Sequence, residues 1–194
     1  MIAAVVLAAG LSSRMGQPKQ IMRWGSRVMV RQVCQTLIAA DVNEIVVVTG
    51  YAREKVEEAL IGCAACSVFN PAYEDGDMMH SFQIGLKSLP NSEAALFVLG
   101  DQPQMQTFVV TKVIDHWRKE KAKIVAPSFQ RRRGHPILFA REIWNDVFNV
   151  SRGTSPRVFL RAHADWIHYV DVATDSILRD VDTLDDYQRE SPPT

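Results

Sequence analysis

Three short, uninterrupted apolar runs constrain this chain more than any other feature: residues 2–7 (IAAVVL), Glu44–Thr49 (EIVVVT) and Ala94–Leu99 (AALFVL). Runs without polar alternation belong to strands covered on both faces, the habit of parallel sheets. Residues 67–69, 123–126, 137–139 and 167–170 add shorter strand-like stretches. Helical spacing lies between them: Val30, Val33, Leu37 and Ile38 stripe residues 28–40, and Phe82, Leu86 and Leu89 share one face of 78–89. Residues 54–60 and 107–119 read as further helices. Strands alternating with helices predict an α/β fold, built as a three-layer, doubly wound and mostly parallel sheet. The alternation lapses after Pro127, where a basic loop and two short helical patterns precede 167–170. The expected organisation is a single domain over 1–190 and a disordered tail over 191–194.

Composition narrows the function classes. Apolar residues make up 47% of the 194 and charged residues 23%, enough for a sizeable core without disulfide or metal staples. Lys plus Arg equals Asp plus Glu at 22 each, so no global field draws the chain to nucleic acid or an anionic membrane. Cys63 and Cys66 form a C-x-x-C with no second pair to complete a zinc site, so they and Cys34 read as free thiols in a reducing compartment. The apolar start lacks a basic lead and runs into a polar loop. It reads as a buried strand rather than a signal peptide or membrane span, which points to the cytoplasm.

The first strand opens into AAGLSSRMGQPKQ, then a helix. Open α/β sheets bind phosphates beyond the carboxyl ends of their strands, at such loops. The loop matches neither the dinucleotide-binding nor the P-loop fingerprint. Its chemistry still suits a triphosphate: Gly10 and Gly16 permit close backbone approach, Ser12 and Ser13 offer hydroxyls, and Arg14 and Lys19 bring fixed cations. On its own it reads equally as a solvated turn. Gly100-Asp101-Gln102-Pro103 follows another buried strand, where Asp101 could alternatively cap the helix at Thr107. Asp180 to Tyr187 (DVDTLDDY) reads as a helix start with acidic residues in its first turn.

Together these stretches resemble the nucleotidyltransferases of the GT-A-like, nucleoside-diphospho-sugar-transferase fold. LAAG (Leu7, Ala8, Ala9, Gly10), then Arg14-Met15-Gly16, then Lys19 follow that family's opening pattern. The resemblance implies that this loop, with Gly100, Asn70 and Ser81, holds the nucleotide, and that Arg14 and Lys19 neutralise its phosphates. It also implies that Asp101 and Asp182 hold Mg²⁺ against the triphosphate, hard oxygen ligands suiting that ion. The family's terminal D-[IV]-D-T-P-E-D carries Leu184 in place of proline and Asp185 in place of glutamate here. Asp180 could act behind the ligands or pair with a cation.

Two further stretches narrow the branch. Asn70-Pro71-Ala72-Tyr73 with Gly76, Met78, Ser81 and Gly85, and Gly134-His135-Pro136 with Arg157, resemble the molybdenum cofactor cytidylyltransferase-like enzymes. That branch implies CTP as donor, a molybdopterin-type phosphate as acceptor, a recipient molybdoenzyme as partner, and an acceptor side formed by Arg133, Gly134, His135, Pro136 and Arg157. Ala9, where GTP-using relatives carry glycine, would favour the smaller cytosine. The run Arg131-Arg132-Arg133 is either a solvated loop or a screen for two anions brought together. His135 could hydrogen-bond the acceptor or be structural; an ionised phosphate nucleophile needs no general base. Trp24 is expected to pack under the phosphate loop. Rival readings are the same chemistry with GTP or with a sugar or alcohol phosphate, a non-catalytic nucleotide- or cofactor-binding chaperone, and, more remotely, a nucleic-acid binder.

Overall fold

The computed structural model describes residues 1–192. Ten strands and seven helices follow in the order β1 (Ile2–Ala8), β2 (Arg23–Trp24), β3 (Arg27–Val28), α1 (Met29–Ala39), β4 (Glu44–Thr49), α2 (Arg53–Leu60), β5 (Cys66–Phe69), α3 (Met78–Lys87), β6 (Ala94–Leu99), α4 (Thr107–Glu120), β7 (Ile124–Phe129), β8 (Arg132–Arg133), β9 (Ile137–Ala140), α5 (Trp144–Phe148), α6 (Pro156–Ala162), β10 (Ile167–Asp171) and α7 (Leu184–Glu190). Eight strands form one sheet in the order β10-β7-β9-β6-β1-β4-β5, with β8 paired to β7, while β2 and β3 make a small hairpin of their own.

The apolar runs behave as their lack of alternation requires. Along β1, Ile2, Ala4, Val6 and Ala8 pack on one face with Val30, Val33 and Leu37 of α1, Val56 of α2 and Val113 and Trp117 of α4. Ala3 and Val5 pack on the other with Met79, Phe82 and Leu86 of α3, Trp144 of α5 and Phe159 of α6. Helices on both faces of the sheet make the three layers, and β1 pairs in parallel with β4 and with β6. Among the described residues no helix is long and apolar enough to cross a membrane.

The lapse after Pro127 has a topological cause. β9 runs antiparallel between β6 and β7, so the strand-helix rhythm gives way to hairpins there. The strand expected to stop at residue 126 instead continues through Pro127 to Phe129. Pro127 falls where β7 changes partner, after Ile124 and Val125 pair with β9 and before Ser128 and Phe129 pair with β8. Its missing N–H therefore costs no rung on that edge, while its carbonyl accepts from Gly134 N at 3.0 Å. Of the tail expected to be disordered, Ser191 N donates to Tyr187 O at 2.9 Å, and residues 193 and 194 lie outside the described residues.

Close approach of α3 to β1 depends on Gly85, where a Cβ would lie 2.3 Å from Cγ1 of the fully buried Val5. A β-branched side chain locked in a sheet cannot yield that distance without backbone movement. Gly85→Ala should therefore lower the unfolding free energy by about 1–3 kcal/mol, read as a drop in the urea midpoint at unchanged m-value.

Candidate active site

A cleft of about 210 Å³ opens at the carboxyl ends of β1 and β6. Leu7, Ala9, Gly10, Ser12, Ser13, Arg14, Lys19, Ser81, Asp101 and Asp182 all line it, so residues chosen from four separated stretches converge on one cavity. The phosphate loop is shaped by its own polar groups. Ser12 (φ 54°) accepts from Lys19 N through Oγ at 3.1 Å and donates to Gln20 Oε1 at 3.3 Å. Gln20 Nε2 then donates to Gly10 O at 3.2 Å. The Ser12 hydroxyl thus serves the loop's conformation, while exposed Ser13 has no such internal tie among the described residues.

The carboxylates converge on one cation. Lys19 Nζ lies 2.5 Å from Asp101 Oδ2 and 2.7 Å from Asp182 Oδ1, and Arg14 Nη2 lies 3.0 Å from Asp182 Oδ2. Burial alone would lower the Lys19 pKa, but Asp101 and Asp182 outweigh it and hold the ammonium charged above its usual range. Burial likewise works against the Asp182 carboxylate, and Lys19 and Arg14 more than reverse it, leaving its pKa below the ordinary value. Lys19, expected to face phosphates, is the positive charge between the two acids in the free protein. Two carboxylates facing a single cation are a hard-oxygen donor set of the kind that suits Mg²⁺.

Asp182 is brought to Asp101 by a short ladder. Gln104 Nε2 donates to Arg179 O, Gln102 Nε2 to Asp180 Oδ1 at 2.6 Å, and Val181 N to Asp101 O at 3.1 Å. Asp101 is thus no helix cap: α4 starts after Gln106 without a side-chain cap. Beyond the ladder, Thr183 and Asp186 form a reciprocal capping box for α7, whose first residue is Leu184. The Asp186 carboxyl is held down at about 2, first by the Thr183 hydrogen bonds and then by Arg189. Trp24 packs beneath the loop as expected, in an apolar cluster with Met15, Met22, Met29 and Val181, and Tyr187 closes it by donating to Arg23 O at 2.7 Å.

Four expected nucleotide contacts do not line the cleft. Ala8 is buried in the core, and Gly16, at φ 66°, turns the loop. Gly100 meets the β1 backbone so closely that a Cβ would lie 2.7 Å from Leu7 O. Asn70 is buried behind Ser81, donating to its Oγ at 3.0 Å while Oδ1 accepts from Ala72 N at 2.9 Å. Conversely, Gln20, Tyr73, Asp77 and Met78 line the cleft without having been singled out as contacts. Asp77 was legible as a helix N-cap: it accepts from His80 N at 2.9 Å, and its second oxygen accepts from Gly153 N at 2.8 Å.

A second cavity of about 510 Å³ adjoins it, lined by Gln102, Arg132, Arg133, Gly134, His135, Arg157, Ile177, Leu178 and Asp180. The acceptor-side residues expected from two stretches meet here, apart from buried Pro136, which follows a cis peptide bond. The His135 ring stacks on Phe97 with centroids 5.7 Å apart. Burial, and then the Arg133 charge, push its pKa down to about 4, so the imidazole is neutral at pH 7.

Residues 4–166 match the MobA-like NTP transferase domain. The chain is 27% identical to nicotine blue oxidoreductase of Paenarthrobacter nicotinovorans, over 97% of this chain and 95% of that protein. It is 26% identical to molybdenum cofactor cytidylyltransferase of Escherichia coli K12, over 96% and 93%. Among solved structures, Rv0371c from Mycobacterium tuberculosis H37Rv superposes with a TM-score of 0.85 at 25% identity, over 97% of this chain and 96% of that one.

A histidine kept neutral in the fold gives stability that is complete above its unfolded pKa near 6.5 and is lost as pH falls toward about 4. Between pH 7 and 4 the wild-type protein should therefore lose about 3 kcal/mol more than His135→Gln, measured by urea unfolding across that range.

Proposed function

Because the chain belongs to the MobA-like NTP transferase family, a nucleotidyltransferase family, we propose that it moves CMP from CTP to the terminal phosphate of a molybdenum cofactor, with release of pyrophosphate. The observation that carries this reading is the single cationic cage, Lys19 and Arg14 against Asp101 and Asp182, at the mouth of the phosphate loop. We read residues 1–190 as one catalytic domain, acting in the cytoplasm and passing its product to a molybdoenzyme.

The triphosphate would lie along the loop, its base beside Ala9 and Ser81 and its β- and γ-phosphates toward Arg14 and Lys19. Lys19 suits this because it keeps its proton throughout the physiological range. Asp101 and Asp182 would hold Mg²⁺, which when bound would supply positive charge that offsets the mutual repulsion of the phosphates. The acceptor would occupy the second cavity, at Arg133, Gly134, His135 and Arg157, with Pro136 shaping the turn beneath. Its phosphate oxygen attacks the α-phosphorus of CTP in line, forming a new P–O bond as the bond to the β-phosphate breaks and pyrophosphate leaves. Neutral His135 can offer a hydrogen bond there and is not needed as a base, since the attacking oxygen is already ionised. The Ala9 methyl, beside the position of the base, would favour the smaller cytosine.

Pyrophosphate release with each NTP in turn, in the presence of molybdenum cofactor and Mg²⁺, tests the assignment. CTP should be preferred; turnover with GTP, or with a sugar or alcohol phosphate as acceptor, would replace the substrate pair, and CTP binding without turnover would make the protein a carrier. The match to nicotine blue oxidoreductase favours one second reading, a redox enzyme on this scaffold. Redox turnover of nicotine blue, with no CTP consumed, would support that one instead. Lys19→Ala should reduce kcat/KM for CMP transfer by about 10²–10³, the loss of about 3–4 kcal/mol of charge stabilisation at the reacting centre.

A further inference from the structure

We infer that Cys63 is a peroxide-reactive thiol and that Cys34 of α1 is its resolving partner, the two forming a reversible disulfide between α1 and the turn after α2. The site stands apart from nucleotidyl transfer, since none of its residues lines either cavity.

The local pair in the sequence, Cys63-Ala64-Ala65-Cys66, is divided by the fold. Cys66 opens β5 opposite Val46, and its Sγ donates to Ile45 O at 3.5 Å. Partial burial, and then the Glu44 charge, push that thiol up, so it stays protonated at neutral pH. Cys63, in the turn between α2 and β5, packs instead on the core cluster that contains Cys34.

Three side chains of α1 converge on Cys63. Arg31, Cys34 and Gln35 share one face of that helix, at i, i+3 and i+4. The Cys34 thiol lies close enough to donate a hydrogen bond to Cys63, and Gln35 Nε2 donates to Cys63 Sγ at 3.9 Å. Arg31 Nη1 covers the end of α2, donating to Ala59 O at 3.0 Å and to Ile61 O at 2.8 Å, and its Nη2 would lie 3.9 Å from a Cβ on Gly62. Those bonds offset carbonyls that would otherwise repel an anion at a helix C-terminus, and they set the positive charge beside residue 63. The Cys34 hydrogen bond first, then the Arg31 charge and the Gln35 amide, outweigh burial and draw the Cys63 thiol down to about 6. It is therefore a thiolate, the reactive form, at pH 7.

Cys34 has the opposite character. It is fully buried, and its bond to Cys63, then burial, hold its own thiol well above the usual range. Cys63 is half-buried between exposed Gly62 and Ala64, so a small oxidant reaches it and not Cys34. The Cys63 thiolate attacks one peroxide oxygen, the O–O bond breaks and hydroxide leaves. Cys63 becomes a sulfenic acid, oxidised by two electrons as the peroxide is reduced. The thiolate charge that held the Cys34 proton is then gone, while Arg31 still favours ionisation. The Cys34 sulfur next attacks the Cys63 sulfur, the S–S bond forms, and the sulfenic hydroxyl leaves with the Cys34 proton as water. Cys34 is fixed in a helix, whereas Cys63 follows Gly62 at φ 74° in a turn, so the closing movement falls to the turn.

Peptide mapping of the full chain by mass spectrometry, after one equivalent of hydrogen peroxide at pH 7 and then alkylation, tests the pairing. A Cys34–Cys63 linkage that dithiothreitol reverses, with Cys66 still alkylated, is the expected result. In Cys34→Ser the sulfenic acid should persist and be trapped by dimedone, and in Cys63→Ser neither remaining thiol should be consumed. In unoxidised wild type the alkylation rate of Cys63 should change less than about twofold between pH 7 and 8, while that of Cys66 rises about tenfold. Where Cys34→Ser does not fold, the wild-type map and the rate profile decide alone. Linkage of Cys63 to Cys66, oxidation of Cys66 with Cys63 intact, or a Cys63 rate that climbs in step with Cys66 would overturn the inference.

Discussion

One ammonium group organises the reactive end of this protein. Lys19 joins Asp101, 82 positions away, to Asp182, 163 positions away. Two carboxylates held this close repel unless a positive charge stands between them, so the cage exists only while a cation occupies it. In the free protein that cation is Lys19, supported by Arg14. The same electrostatic demand prepares the site for a multiply charged partner, because what neutralises the acids in one state can neutralise phosphates in another.

That cage depends on the order of strands. β1 lies between β4 and β6, so the loop leaving β1 and the Gly100-Asp101 turn leaving β6 emerge side by side. Gly100 is part of this proximity, since its backbone abuts Leu7 where a side chain could not fit. Asp182 arrives from the opposite direction along the chain. Its placement is the work of three hydrogen bonds, two donated by Gln102 and Gln104 and one accepted by Asp101 O, and of the Thr183–Asp186 box that starts α7. Insertion of antiparallel β9 beside β6 then displaces β7 outward, and the space at the end of these strands becomes the second, arginine-lined cavity.

Much of this was legible from residues alone where local physics governs. The continuous apolar runs announced strands buried on both faces, and Glu44–Thr49 and Ala94–Leu99 match the observed strands residue for residue. Gly10, Arg14 and Lys19 stood out as anion-binding chemistry beyond the first strand, whereas Asp101 and Asp182 were picked out by the family resemblance. Local pattern misled at Pro127, where proline signalled a strand end although the partner strand changes at that very residue. Nor does anything in the order of residues reveal that the buried Asn70 amide donates to Ser81 Oγ.

The sequence by itself determined the alternation of elements and the cation-rich loop, because these follow from side-chain period and charge, while the acids that complement the loop came from the family resemblance. Only the tertiary structure decided that Lys19 lies between the two acids, that Gln20 and Ser12 brace the loop from within, and that Arg132, Arg133 and Arg157 share a cavity without a carboxylate partner among the described residues. Charge and period are properties of residues, whereas pairing is a property of distance. Distance across this sheet is set by strand order and the antiparallel insertion, which no local stretch encodes.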